Sequence, residues 1–169
     1  AGLTEGKVTC LLGANGIGKS TLLRTLAGYL APLEGQMDRV SPETLGVVLT
    51  ERTDAMGLSV REVVAMGRHP YTGYFGRMQS EDEQIVEKAM MLTHTEEFAY
   101  RALASLSDGE RQKVMIAKVL AQETPIILMD EPSAFLDFPS KVQLMLLLSD
   151  LAHNQGKAIL LSTHDVGIA

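Results

Sequence analysis

The 169-residue sequence contains one cysteine, Cys10, so the chain cannot close an internal disulfide. No stretch approaches 18 apolar residues, which leaves no segment long and apolar enough to cross a bilayer. The most apolar run, Val142 to Leu151, is broken by Gln143, Ser149 and Asp150. There is no block of basic residues, and the net charge of −6 argues against a nucleic-acid partner or an anionic membrane surface. No signal-peptide pattern, internal repeat or low-complexity tract is present. The first residue is Ala1 rather than Met, so the natural N-terminus is expected to lie upstream. What is present is globular: 46% of residues are hydrophobic and 21% charged. A chain of this length buries enough surface to fold without disulfides or a structural metal.

Apolar runs suited to buried strands alternate with helical patterns, which predicts an α/β fold with a mainly parallel sheet. The strands are expected at Lys7–Leu12, Leu45–Leu49, Pro125–Asp130 and Lys157–Ser162. Cys10, in the first of these, reads as a buried small hydrophobe. A helix is expected from Lys19 to Gly28, and another opens near Pro139 and runs to about His153. On that last helix, Val142, Met145 and Leu146 stand at helical spacing and are expected in the core. Between Ser59 and Gln122 no strand pattern occurs, and Val60–Met66, Glu81–Leu92 and Asp108–Gln122 read as helices. The pattern predicts a core of residues 1–58 and 123–169, with a helical sub-domain, 59–122, inserted into it. Residues 68–79 (RHPYTGYFGRMQ) read as a loop.

Three segments carry chemistry. GANGIGKS at 13–20 fits the phosphate-loop pattern G-x-x-x-x-G-K-[ST] between a strand and a helix. Glycines allow backbone N–H groups to turn around phosphate oxygens, and the helix adds its positive N-terminal end. Gly13, Ala14, Asn15, Gly16, Gly18, Lys19, Ser20 and Thr21 are therefore the candidate nucleotide-binding residues. Lys19 can reach the β- and γ-phosphates, and the Ser20 hydroxyl can ligate Mg²⁺. IILMDE at 126–131 is an apolar strand ending in two carboxylates, at the end of a parallel strand where ligands collect. Asp130 would hold Mg²⁺, directly or through water, and Glu131 would orient or deprotonate an attacking water. SLSDGERQ at 105–112 opens a helix. Ser107 and Gly109 there can form a second anion site, or Ser107 or Asp108 can serve as an ordinary N-cap.

The order of these segments, with SAFLD (133–137) and STHD (162–165) after them, resembles the nucleotide-binding subunit of ATP-binding cassette (ABC) transporters over essentially the whole chain. Ser107 to Asp130 spans 23 positions and Asp130 to His164 spans 34, both similar to that family. The resemblance implies an ATPase with a P-loop, RecA-like core that works as a head-to-tail homodimer with Mg²⁺. In that arrangement Ser107 and Gly109 meet the γ-phosphate of the partner's ATP, and Asp137 lies in the segment that crosses the interface. His164 holds the γ-phosphate and the attacking water.

SVREVVAMGRHPYTGYFG (59–76) and FLDFPSKVQLMLLLSDLAHNQGKAILLSTHD (135–165) resemble importers of iron–siderophore complexes, haem or cobalamin. That implies transmembrane permease partners, an indirect link to a substrate-binding protein, and a peripheral position on the cytoplasmic face of the bacterial inner membrane. Tyr71, Tyr74 and Phe75, among glycines, then read as a contact loop for the permease.

The chain departs from the family pattern in three places. Glu51 stands where the family usually has a glutamine that senses Mg²⁺; a carboxylate can ligate the ion but cannot donate a hydrogen bond. The signature, usually Leu-Ser-Gly-Gly-Gln, is Leu106-Ser107-Asp108-Gly109-Glu110. Asp108 either brings negative charge toward a phosphate or turns outward and caps its helix; the cap is the expected role, because Asp is a strong N-cap and Gly109 leaves the phosphate approach open. Both ends are expected to be cut, with the adenine-stacking aromatic residue lying upstream. A soluble ABC ATPase without a permease is one alternative, disfavoured by the negative charge and by the lack of large insertions or tandem cassettes. A non-hydrolytic regulatory subunit is another, disfavoured by the intact Glu131 and His164. His69, His94 and His153 share no metal-ligand spacing and read as surface or loop residues.

Overall fold

The structure, a computed structural model, describes residues 2–35, 41, 44–49, 57–72, 77–165 and 167. The chain divides into two compact units, Ala1–Thr50 with Thr124–Ala169, and Glu51–Glu123. The sequence places these divisions at 58/59 and 122/123.

The first unit is a four-stranded sheet with β1 (Val8–Leu12), β2 (Leu45–Val48), β3 (Ile126–Met129) and β4 (Ala158–Thr163) in the order β1-β4-β3-β2. Every pairing is parallel, with Val8 opposite Ile159, Ile126 opposite Ala158, and Leu45 opposite Ile126. Helix α1 (Lys19–Leu26) packs Leu23 against Leu128 and Leu160. Helix α5 (Phe138–Gln155) packs on β1 and β4. All six residues of β4 are buried, as a continuous apolar run in a central parallel strand predicts. This is the α/β architecture of a P-loop core.

Two expectations about burial are corrected. β1 is not a buried strand. It lies at the edge of the described sheet, with Leu12 46% exposed and Cys10 only half-buried. On α5 the core face is Leu144, Leu148, Leu151 and Ala152, whereas Val142 and Leu146 are exposed. The helix is apolar on most of its circumference, so periodicity did not distinguish the buried side. Asp137 is its N-cap, accepting a hydrogen bond from the Ser140 N–H at 3.1 Å, and Pro139 sits in the first turn, where its missing N–H is harmless.

The second unit holds α2 (Val60–Ala65), α3 (Ser80–Thr93) and α4 (Asp108–Ala121). Their apolar faces, with Val60, Val63, Val64, Val86, Met90, Val114 and Ala117, form its core. Ser59 caps α2 and Ser107 caps α4. Each forms a capping box with the glutamate three residues on, Glu62 and Glu110. Asp108 is therefore the first helical residue and not the cap; its carboxylate pairs with Arg111 at 3.4 Å on the surface. Arg68 is buried. Its Nε donates to Asp82 Oδ1 at 2.9 Å, and Nη1 donates to the Ala121 carbonyl and to Glu123 Oε2, each at 2.9 Å. The Tyr71 ring stacks on the guanidinium, and its hydroxyl donates to the Gln122 carbonyl at 2.7 Å. Tyr74 and Phe75 lie outside the described residues.

Gly67 sits in the tight turn after α2, where a Cβ would run into the Lys118 carbonyl oxygen and press on Ala121. Helix propensity alone favours alanine over glycine by up to about 1 kcal/mol, whereas overpacking costs about 1–3 kcal/mol. Gly67→Ala is expected to destabilise the protein by the latter amount in urea unfolding; an unchanged or raised midpoint would show that α2 and α4 separate at little cost.

Candidate functional site

Parallel pairing puts the C-terminal ends of β1, β3 and β4 at one end of the sheet, and each runs directly into a segment predicted to carry chemistry. Gly13 comes after β1, Asp130 after β3 and His164 after β4. The phosphate loop is tied to the sheet by the Gly13 N–H, which donates to the Thr163 carbonyl at 3.3 Å. Gly16 and Gly18 take φ of 83° and 99°, the left-handed region that glycine enters freely. Gly18 occupies the N-cap position of α1 and has no side chain to cap it, so the first-turn N–H groups are not occupied by a capping side chain. Asn15 and Thr21 are exposed in the loop and first turn.

Lys19 is buried at the base of the loop, only 7% exposed. Its Nζ donates to the carbonyls of Gly13 at 2.7 Å and Ala14 at 3.1 Å, and pairs with Glu131 Oε1 at 3.1 Å. The other carboxylate oxygen of Glu131, Oε2, meets Nδ1 of the half-exposed His164 at 2.7 Å. Glu131 has φ of 47°, a left-handed conformation uncommon for a residue with a side chain. Ser20 Oγ donates to Asp130 Oδ1 at 3.0 Å, and the Asp130 N–H donates to the Val48 carbonyl at 2.9 Å. One contact was not legible in the sequence. The hydroxyl of Ser162 donates to Asp130 Oδ1 at 2.7 Å and accepts the Glu131 N–H at 2.9 Å. It joins positions more than thirty residues apart, and no local spacing signals it.

The structure thus brings together Gly13, Ala14, Lys19, Ser20, Asp130, Glu131 and His164. Asp137 instead caps α5, where hydrogen bonds from the Ser140 side chain and backbone hold its carboxyl below the usual range. Ser107 and Gly109 belong to the second unit, at the start of α4. Glu51 lies outside the described residues. His69, His94 and His153 are exposed, the last against the Ser149 carbonyl.

The chain belongs to the ABC transporter family, whose profile matches residues 1–134. It is 40% identical, over 99% of its length, to an uncharacterized ABC transporter ATP-binding protein of Methanocaldococcus jannaschii, covering 61% of that protein. It is 38% identical to the achromobactin transport ATP-binding protein of Dickeya dadantii and 36% identical to the ferric enterobactin transport ATP-binding protein of Escherichia coli. In both cases 99% of this chain and 66% of the relative are covered. The chain therefore spans about three-fifths to two-thirds of the length of these relatives. Among solved structures, it superposes with a TM-score of 0.87 and 28% identity on a component of the ABC transporter complex cbiONQ from Clostridium perfringens, covering all of this chain and 71% of that one. A dimeric ATP-binding cassette in a post-hydrolysis state, bound to ADP and Pi, superposes with a TM-score of 0.82 and 28% identity, covering 100% and 79%.

The capping box at α4 gives a test of the Ser107 geometry. Hydrogen bonds from the Ser107 hydroxyl and N–H hold the Glu110 carboxyl below the usual glutamate range. A lowered folded-state pKa gives a contribution fully present above the unfolded pKa and lost as pH falls through the folded one. The stability difference between wild type and Glu110→Gln should therefore be constant near neutrality and shrink in acid. Ser107→Ala should cost about 0.5–2 kcal/mol, and Asp108→Ala, on the surface, no more than about 0.5 kcal/mol. Chemical denaturation of the three variants from pH 7 to pH 3 checks both statements; a larger loss for Asp108→Ala than for Ser107→Ala would reverse the cap assignment.

Proposed function

We propose that this chain is the ATP-hydrolysing subunit of an ABC importer, and that it powers uptake of an iron–siderophore, haem or cobalamin-type substrate. The observation that carries the ATPase reading is the convergence of Lys19, Ser20, Asp130, Glu131 and His164 at one end of the parallel sheet. The substrate class is supported by the relatives that transport achromobactin and ferric enterobactin. The working form is a head-to-tail homodimer that binds permease subunits on the cytoplasmic face of the membrane, with a substrate-binding protein delivering cargo to the permease. Among the described residues no helix is long and apolar enough to cross a membrane, which suits a peripheral subunit.

Binding is an exchange of partners. Lys19 gives up Glu131 and the loop carbonyls for phosphate oxygens of the nucleotide, a charge-assisted contact. The N–H groups of the loop and of the first turn of α1 receive the remaining phosphate charge. Ser20 and Asp130 converge an oxygen-only donor pair, and no group of three or more acidic, His or Cys residues forms a closed cage among the described residues. That set fits Mg²⁺, which takes one or two protein oxygens and completes its shell with phosphates and water. When bound, the ion supplies charge neutralisation at the phosphates. Glu131, released from Lys19, orients or deprotonates the attacking water, and His164 steadies Glu131 and the γ-phosphate. Ser107 and Gly109 complete the site from the other protomer, and Asp137 lies in the segment crossing between protomers.

Two substitutions separate binding from chemistry. Lys19→Ala should weaken ATP binding by roughly 10–100-fold, the equivalent of about 1.5–3 kcal/mol for a hydrogen bond to a charged group. Glu131→Gln should leave affinity intact and slow turnover by roughly 10²–10⁴-fold. Titration calorimetry and steady-state ATPase rates on the full-length protein measure both. Unchanged affinity in the first, or near-normal turnover in the second, would remove the assigned role.

A further inference from the structure

The hydroxyl of Ser162 is in contact with both acidic residues of the proposed site. Ser162 is fully buried near the end of β4, after the apolar run Ala158, Ile159, Leu160 and Leu161. Side chains alternate along a strand, so Ser162 shares a face with Leu160, the face on which α1 packs. On β3 the same alternation puts Asp130 on the face of Leu128. The two side chains therefore meet beneath the first turn of α1, and Ser20 reaches the same carboxylate oxygen, Asp130 Oδ1.

A serine hydroxyl has one proton and two acceptor lone pairs. Here the proton goes to Asp130 Oδ1 at 2.7 Å, and a lone pair receives the Glu131 N–H at 2.9 Å. The first bond fixes which way the Asp130 carboxylate faces. The second holds the peptide at the point where the chain turns into the left-handed conformation of Glu131, with φ of 47°. That turn sends the Glu131 carboxylate toward Lys19 and His164.

We propose that Ser162 is a positioning residue for ATP hydrolysis, setting through one hydroxyl both the Asp130 carboxylate that would hold Mg²⁺ and the backbone that aims Glu131. This rests on the reading of the site as an ATP-hydrolysing cassette. Ser162 is buried behind the two acids and acts through them. Residues that orient metal ligands typically matter by roughly 10–100-fold in metal affinity or activity.

The test uses the full-length protein and separates three quantities. ADP affinity is measured by calorimetry in EDTA and again in Mg²⁺, and kcat and KM are measured with ATP. Ser162→Ala should bind ADP in EDTA as the wild type does, because the phosphate loop is untouched. It should lose at least about threefold of the Mg²⁺-dependent gain in ADP affinity, and kcat should fall roughly tenfold or more at little-changed KM. Ser162→Thr, which keeps the hydroxyl, should restore both. A purely structural serine would lower the melting temperature without moving the Mg²⁺ gain or kcat at temperatures where the protein stays folded. If Ser162→Ala does not fold, Ser162→Cys, close in size and a poor donor, takes its place with the same expected losses. A wild type with a Mg²⁺ gain and turnover, matched in both by a folded alanine or cysteine variant, overturns the inference alone. A wild type with neither overturns the ATPase reading and the inference with it.

Discussion

The site depends on the parallel register of β4 between β1 and β3. Because the three strands run the same way, their last residues finish side by side, and the segments that leave them arrive at the same place. The glycine loop leaves from β1, the two acids from β3 and the histidine from β4. The Gly13 N–H bond to the Thr163 carbonyl then fixes the loop against the strand that carries His164. Each of these strands is short. Placement comes from the ladder, and the ladder is held by α1 packing Leu23 on Leu128 and Leu160.

Within that frame the charges neutralise one another. Lys19 is buried and would be costly alone, but two carbonyls and Glu131 surround its ammonium. Glu131 is shared between Lys19 and His164, and Asp130 receives two hydroxyls, from Ser20 and Ser162. Each of these side chains thus already has a partner of the right polarity. This mutual pairing keeps a cluster with this density of charge compatible with a folded core.

Much of this was legible from residues alone, for identifiable reasons. GANGIGKS and IILMDE are local patterns whose chemistry is tied to fixed spacing, and apolar runs such as AILL mark strands directly. Burial was harder. The apolar character of KVTCLL does not say whether a strand is central or at an edge, and Val142 and Leu146 lie on a helix with apolar residues nearly all round. The choice between Ser107 and Asp108 as the cap of α4 turned on which side chain reaches Glu110, since both residue types are strong caps. Ser162 was unreadable because its partners come from another strand, and a serine at a strand end carries no pattern of its own.

The pairing of β1 with β4 also orders events during synthesis. Val8 finds its partner in Ile159, more than a hundred positions later in the sequence. In the described sheet β1 therefore has no paired neighbour until β4 has been made. Until then the glycine loop attached to it has no Thr163 carbonyl to hold. The Glu51–Glu123 unit is under no such constraint, since its helices contact partners close in sequence. On a ribosome the helical insertion can be complete while the older segment that flanks it is still unpaired. The side chains at the ends of β1, β3 and β4 come together only when β4 emerges.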